Sequence, residues 1–228
     1  MAELAKTGMS GLDKMLGGGL PKGSISTVSG PTGSGKSTLA LQFLVNGARK
    51  FDETGLYVFI EESHEVVFRN LSYKGWNLEE LELAKKLNFM DYPPHEVDQF
   101  LSQNSAIGGL IETMGVSRLV IDSIMPIALI YADSDERKKG FLRLMNNVRK
   151  WKTTTMIIAE ELPVSGTLPR TTYGIESLTD GWIHVDYRIG KKDERMRGVE
   201  VLKMKGANPI MKRFPMEIND SGINVLMK

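Results

Sequence analysis

Gly30-Pro31-Thr32-Gly33-Ser34-Gly35-Lys36-Ser37-Thr38 stands between a β-branched run and a helical pattern, and that placement decides how the rest of the chain is read. Upstream, Ser24-Ile25-Ser26-Thr27-Val28-Ser29 has the composition of a strand, and downstream Ser37 to Lys50 carries apolar residues at helical spacing. A glycine-rich turn from a strand into a helix lets successive backbone N–H groups face inward around phosphate oxygens. Thr32, Gly33, Ser34, Gly35, Lys36, Ser37 and Thr38 are therefore the candidate phosphate-binding residues. Lys36 supplies a point charge for the terminal phosphates, and Ser37 offers a hydroxyl to Mg²⁺. Nucleotide binding is the first function this stretch implies.

Composition bounds the remainder. A chain of 228 residues is long enough to bury its own core as one α/β domain spanning 1–228. At 25% charged and 41% hydrophobic it has the balance of an ordinary globular protein, and no apolar run reaches the ~18 residues a membrane span needs. The start, MAELAKTGMS, lacks the apolar core of a secretion signal, so a cytoplasmic location is expected. With no cysteine there are no disulfides or thiolate metal sites. His64, His95 and His184 are scattered, which favours surface or packing roles over metal binding. A net charge of +1 gives no global attraction to nucleic acid, so any such binding must come from a local patch.

Strands and helices alternate along the chain. Residues 1–23 form a glycine-rich entry segment. Leu56 to Ile60 is the second strand and ends at Glu61-Glu62; helices follow from about His64 to Lys74 and Leu78 to Lys86. Asn88 to Met90 is a short strand, Gln103 to Met114 a helix, and Val116 to Ile121 a buried strand ending at Asp122-Ser123. A helix from Ser134 to Trp151 leads to the strand Thr154 to Ala159, which ends at Glu160-Glu161. This order predicts a mostly parallel sheet with helices on both faces and a ligand site at the strands' carboxyl ends. Trp182 to Arg188, Val199 to Met204, Arg213 to Ile218 and Gly222 to Leu226 predict an antiparallel extension over 180–228.

Acidic strand ends complete a hydrolytic pattern. Leu119-Val120-Ile121-Asp122 is the form a second nucleotide motif takes after a buried strand, with Asp122 holding Mg²⁺ across from Ser37. Glu61 and Glu62 lie on the same rim, where a carboxylate can orient and deprotonate a water in line with the γ-phosphate. A capping or solubilising pair is the alternative for these two.

TGMSGLDKMLGGGLPKGS, GPTGSGKSTLALQFLVNGA, VFIEES, RNLSYKGWNL, LVIDS and VEVLKMKGANP together resemble the KaiC-like branch of the RecA superfamily, in order and over nearly the whole chain. The resemblance implies a RecA-like P-loop NTPase core, slow hydrolysis of ATP to ADP and phosphate, Mg²⁺ dependence, and a hexameric homo-oligomer with ATP between subunits. It also implies that Glu61-Glu62 form the catalytic base region. A Lys-x-Arg-Gly segment reaches a neighbour's γ-phosphate in that family; the match here is Lys203-Met204-Lys205-Gly206, which makes Lys203 and Lys205 candidate catalytic residues. Lys205 keeps the arginine's charge but loses its bidentate fork.

Other features leave alternatives open. An adjacent Ser-Thr pair is autophosphorylated in the second domain of the family's two-domain member, and the matching Glu176-Ser177 retains one hydroxyl, which also reads as a plain turn serine. Nine cations between Arg188 and Arg213 oppose only Asp193, Glu194 and Glu200; they suit a subunit interface, nucleic acid in a ring pore, or a solvated hairpin. The stretch 162–173 corresponds to the region RecA relatives use on single-stranded DNA, but offers only Arg170 and Tyr173. The competing function is a RadA-paralogue-like protein that binds ATP and DNA, or a regulatory protein partner, with negligible turnover.

Overall fold

A computed structural model of the chain describes residues 3–60, 62–71, 74–161, 168–190 and 193–227. Its central sheet has nine strands in the order β11-β10-β9-β8-β3-β7-β6-β4-β5. β3 (Ile25–Gly30), β4 (Thr54–Phe59), β5 (Leu87–Asp91), β6 (Val116–Asp122), β7 (Thr154–Glu160) and β8 (Gly181–Ile189) run parallel to their neighbours within this half. From β8 onward the pairing turns antiparallel, through β9 (Arg195–Met204), β10 (Phe214–Asn219) and β11 (Gly222–Val225). The mostly parallel sheet and its antiparallel extension thus agree with the sequence reading. Inside the entry segment, β1 (Leu4–Ala5) and β2 (Leu20–Pro21) form a separate small antiparallel ribbon around α1 (Ser10–Met15).

The parallel strands are apolar on both faces because both are covered. On one face Tyr57, Phe59, Val120, Met156 and Ile158 pack with α1, α2 (Lys36–Phe51), α3 (His64–Leu71) and α4 (Leu78–Leu83). On the other, Leu56, Val58, Leu119, Ile121 and Ile157 pack with α5 (Val97–Ser102), α6 (Asn104–Met114), α7 (Ile124–Leu129) and α8 (Ser134–Lys150). α8 starts where it does because the Asp133 carboxylate accepts from the backbone N–H groups of Asp135 and Glu136, at 2.8 and 2.9 Å.

β6 carries one charge into this core. Arg118 is buried, pairs with Glu53, and donates to the carbonyls of Phe43 at 2.7 Å and Lys6 at 2.8 Å. Its guanidinium also lies over the Phe43 ring, 4.5 Å from the centroid. These bonds tie the entry segment, α2 and β6 together, so the helix that follows the glycine-rich loop is fixed from behind. The α5 and α7 helices were not anticipated from the sequence, and β9 begins four residues earlier than Val199.

Candidate nucleotide site

Period-two alternation places the site. Val120 faces α2, so Asp122, two residues on, emerges on the same side at the end of β6; Ile158 and Glu160 do the same on β7. These side chains meet the loop between β3 and α2 around an open cavity of about 760 Å³. Thr32, Gly33, Gly35, Lys36, Ser37, Thr38, Glu62, Asp122 and Glu160 line it, with Phe59, Val67, Ile158 and Ile218 as its apolar wall.

The loop has the backbone that phosphate binding needs. Gly35 occupies the helix N-cap with φ +104°, a left-handed conformation, and a Cβ there would sit 2.5 Å from Ile218 Cδ1. Gly30 is as constrained, since a Cβ would meet the Val185 carbonyl oxygen at 2.1 Å. Glycine at the cap contributes no side chain to satisfy the first N–H groups of α2, and these remain directed at the cavity end of the helix. Lys36 bridges the loop by donating to the carbonyls of Gly30 at 2.8 Å and Pro31 at 3.2 Å. Ser34 is the exception among the seven expected loop residues: it is buried beneath the loop and does not line the cavity.

Asp122 sits at the floor. The phenol of Tyr57 donates to its Oδ2 at 2.6 Å, and Ser37 stands beside it on the wall of the cavity. Burial pushes the Asp122 carboxyl above the usual range, the hydroxyls of Tyr57 and Ser37 and the charge of Lys36 oppose that rise, and Glu160 adds to it. Among the described residues no group of three or more His, Cys, Asp or Glu could hold a metal by itself. A cation at Ser37 and Asp122 would therefore complete its shell with phosphate oxygens and water, which is the habit of Mg²⁺ among hard oxygen donors. The donor set fits that ion.

Glu62 is exposed on the cavity rim, and Glu61 lies outside the described residues. The rim is anchored next door: Asp91, at the end of β5, accepts from the His64 backbone N–H at 3.1 Å and lies 2.5 Å from His64 Nδ1. That double contact fixes where the chain turns from β4 into α3.

Lys203 and Lys205 do not line the cavity of their own chain. Lys203 Nζ donates to the carbonyls of Glu176 at 3.0 Å and Thr179 at 2.6 Å, while Lys205 is exposed, 3.8 Å from Asp180. Burial lowers the Lys203 ammonium, and neighbouring Lys205 lowers it further. Ser177 is an exposed turn hydroxyl that donates to the Gly174 carbonyl at 2.8 Å. Within the stretch 162–173, residues 162–167 fall outside the described residues, and the Tyr173 ring is covered by Arg137 at 5.0 Å.

Three lining or supporting residues were not singled out from the sequence. In the sequence Arg197 is one cation of a basic run, yet it lines the cavity and donates to the Gly33 carbonyl at 3.3 and 3.1 Å from Nε and Nη2. It stacks on Tyr187, 4.6 Å from the ring centroid. Glu160 and Tyr57 are the others. The signal for Glu160 was present, as an acid ending a parallel strand beside β3; Tyr57 read as one more apolar strand residue.

A parallel α/β sheet with a glycine-rich loop and an acidic strand end around one cavity defines a protein of RecA-like fold with a candidate nucleotide site. The family described as the ATPase KaiC matches residues 5–228. Over 230 residues, 98% of this chain, the sequence is 31% identical to the circadian clock oscillator protein KaiC of Nostoc sp. (strain PCC 7120), and over 226 residues it is 30% identical to that of Prochlorococcus marinus (strain MIT 9313). The matches cover 44% and 45% of those proteins, so the chain spans less than half the length of these relatives. The crystal structure of a KaiC-like protein from the hyperthermophilic archaeon Pyrococcus horikoshii OT3 superimposes with a TM-score of 0.87 at 33% identity, covering 100% of both chains. This chain belongs to the KaiC-like ATPase family.

Proposed function

We propose that the chain binds ATP with Mg²⁺ and hydrolyses it slowly to ADP and phosphate as a ring-forming regulatory ATPase, with each nucleotide lying between two copies. The observation that carries this reading is the convergence of the loop, Ser37, Asp122 and Glu62 on one cavity. In it, Thr32, Gly33, Gly35 to Thr38 and the first N–H groups of α2 hold the β- and γ-phosphates, and Lys36 exchanges its loop carbonyls for their oxygens. Ser37 and Asp122 would hold Mg²⁺, which would supply positive charge against the charge that develops on the phosphates. Glu62, with Glu61, orients the water that attacks the γ-phosphorus in line with the departing ADP oxygen and takes its proton. Arg197 closes the loop's outer side and offers its charge to the phosphates.

The neighbouring copy's Lys205 supplies a further positive charge at the γ-phosphate. Its exposure leaves it accessible for such a role, while Lys203 is engaged within its own chain. An ammonium stabilises a transferring phosphoryl group less well than a guanidinium, in keeping with slow turnover. No helix among the described residues is long and apolar enough to cross a membrane; we place the protein in the cytoplasm.

Phosphate release by the purified chain with ATP and Mg²⁺, with and without single-stranded DNA, tests this reading alongside native mass measurement of the assembly. Turnover unaffected by DNA, from a hexamer, is the expected result. DNA-stimulated turnover, or ATP and DNA retention without turnover, would replace it with the RadA-paralogue-like alternative.

A further inference from the structure

Tyr57 is wholly buried in β4, 0% exposed, with its ring stacked on Phe59 at 4.1 Å between centroids and 17° between planes. The surrounding core is apolar, so packing alone would be served by phenylalanine. A buried phenol must find a partner, and this one has found the Asp122 carboxylate rather than a backbone carbonyl. The parallel register Phe59↔Asp122 brings the two strand ends level, and Tyr57 and Asp122 share the α2 face. The Ser37 side chain lies close enough to act electrostatically on both groups, so oxygens from β4, β6 and α2 gather at one point.

We propose that Tyr57 is a positioning residue for the cation site: by donating to Asp122 Oδ2 it holds the carboxylate in one orientation opposite Ser37. This rests on the reading of Asp122 as the Mg²⁺ residue. Mg²⁺ tolerates little departure from octahedral geometry, so with Ser37 and Asp122 as its proposed protein ligands the orientation of the Asp122 carboxylate would matter more than in a many-ligand cage. Groups that orient metal ligands in this way are worth about 10–100-fold in metal affinity.

The test is Tyr57→Phe, which removes the hydroxyl and keeps the ring. Mn²⁺ binding is followed by electron paramagnetic resonance in the presence of a non-hydrolysable ATP analogue, and analogue binding in EDTA reports that the loop is still formed. The expected result is a rise of about tenfold in the Mn²⁺ concentration for half-saturation, with analogue still bound in EDTA. A midpoint within about twofold of the unsubstituted protein overturns the proposal. Asp122→Asn, measured in parallel, separates the two levels of inference. If Asp122→Asn weakens Mn²⁺ binding and Tyr57→Phe does not, the positioning role alone falls; if neither does, the assignment of Asp122 falls and takes the positioning role with it.

Discussion

His184 Nε2 stands 3.1 Å from Glu161 Oε2, and the other ring nitrogen, Nδ1, stands 2.9 Å from Glu200 Oε1. The imidazole is buried between carboxylates from β9 and from the residue just after β7, and Glu161 in turn accepts from the Ser29 hydroxyl at 2.6 Å, one residue before the loop begins. Trp182 Nε1 donates to the same Ser29 oxygen at 2.7 Å. This polar chain runs beneath the nucleotide loop and joins β3, β8 and β9 to the end of β7.

Its first consequence is a pH dependence of stability. Burial alone would lower the His184 pKa, but the hydrogen bonds and charges of Glu161 and Glu200 outweigh burial and raise it above the ordinary 6.5. A raised value means that the folded state binds the proton more tightly than the unfolded chain does. The stabilisation is therefore fully present below about pH 6.5 and is lost as pH climbs through the raised folded value. Denaturant unfolding of His184→Gln should show a loss of about 3 kcal/mol at pH 6 and a smaller loss at pH 9. Equal losses at both values would show that the ring is uncharged in the folded protein.

The glutamate pair separates catalysis from binding. With Glu61 and Glu62 both changed to Gln, ATP should bind about as well as before while turnover falls at least ~10²-fold, the worth of a positioned base. Calorimetric binding and phosphate release, measured on one preparation, check this. Parallel loss of both properties would make the pair structural.

Lys205 tests the interface. Lys205→Ala should slow hydrolysis without releasing ATP, and mixing it with Lys36→Ala chains should restore part of the activity, since some interfaces then pair an intact loop with an intact lysine. Lys205→Arg should match or exceed the native rate because the guanidinium fork suits phosphate. A monomer whose specific activity is independent of concentration would return Lys205 to an ordinary surface position beside Asp180.

The loop was legible because its chemistry is local: glycines, lysine and serine must be adjacent in sequence to turn around one phosphate. Asp122 and Glu160 were visible as acids ending apolar runs. The polar contacts beneath them were not, because Tyr57 meets Asp122, and Ser29 and His184 meet Glu161, only through strand order. Nothing in the sequence says that β3 lies between β7 and β8. Arg197 was hidden among many cations for a related reason: which of them faces Gly33 depends on the antiparallel register Tyr187↔Arg197, read only once the hairpin is paired. The start of β9, Arg195-Met196, is exposed at both positions and lacks the alternation that marks a half-buried strand. The short α5 and α7 helices gave too few turns for a helical period to show.

The central claim is that the loop around Lys36 binds ATP for hydrolysis at the cavity shared with Asp122. Calorimetric titration of ATP with Mg²⁺ into the native chain and into Lys36→Ala, with phosphate release from the same samples, tests it most directly. The account predicts saturable binding and slow turnover for the native chain, and loss or severe weakening of both for the variant. Native affinity and native turnover in Lys36→Ala would contradict it.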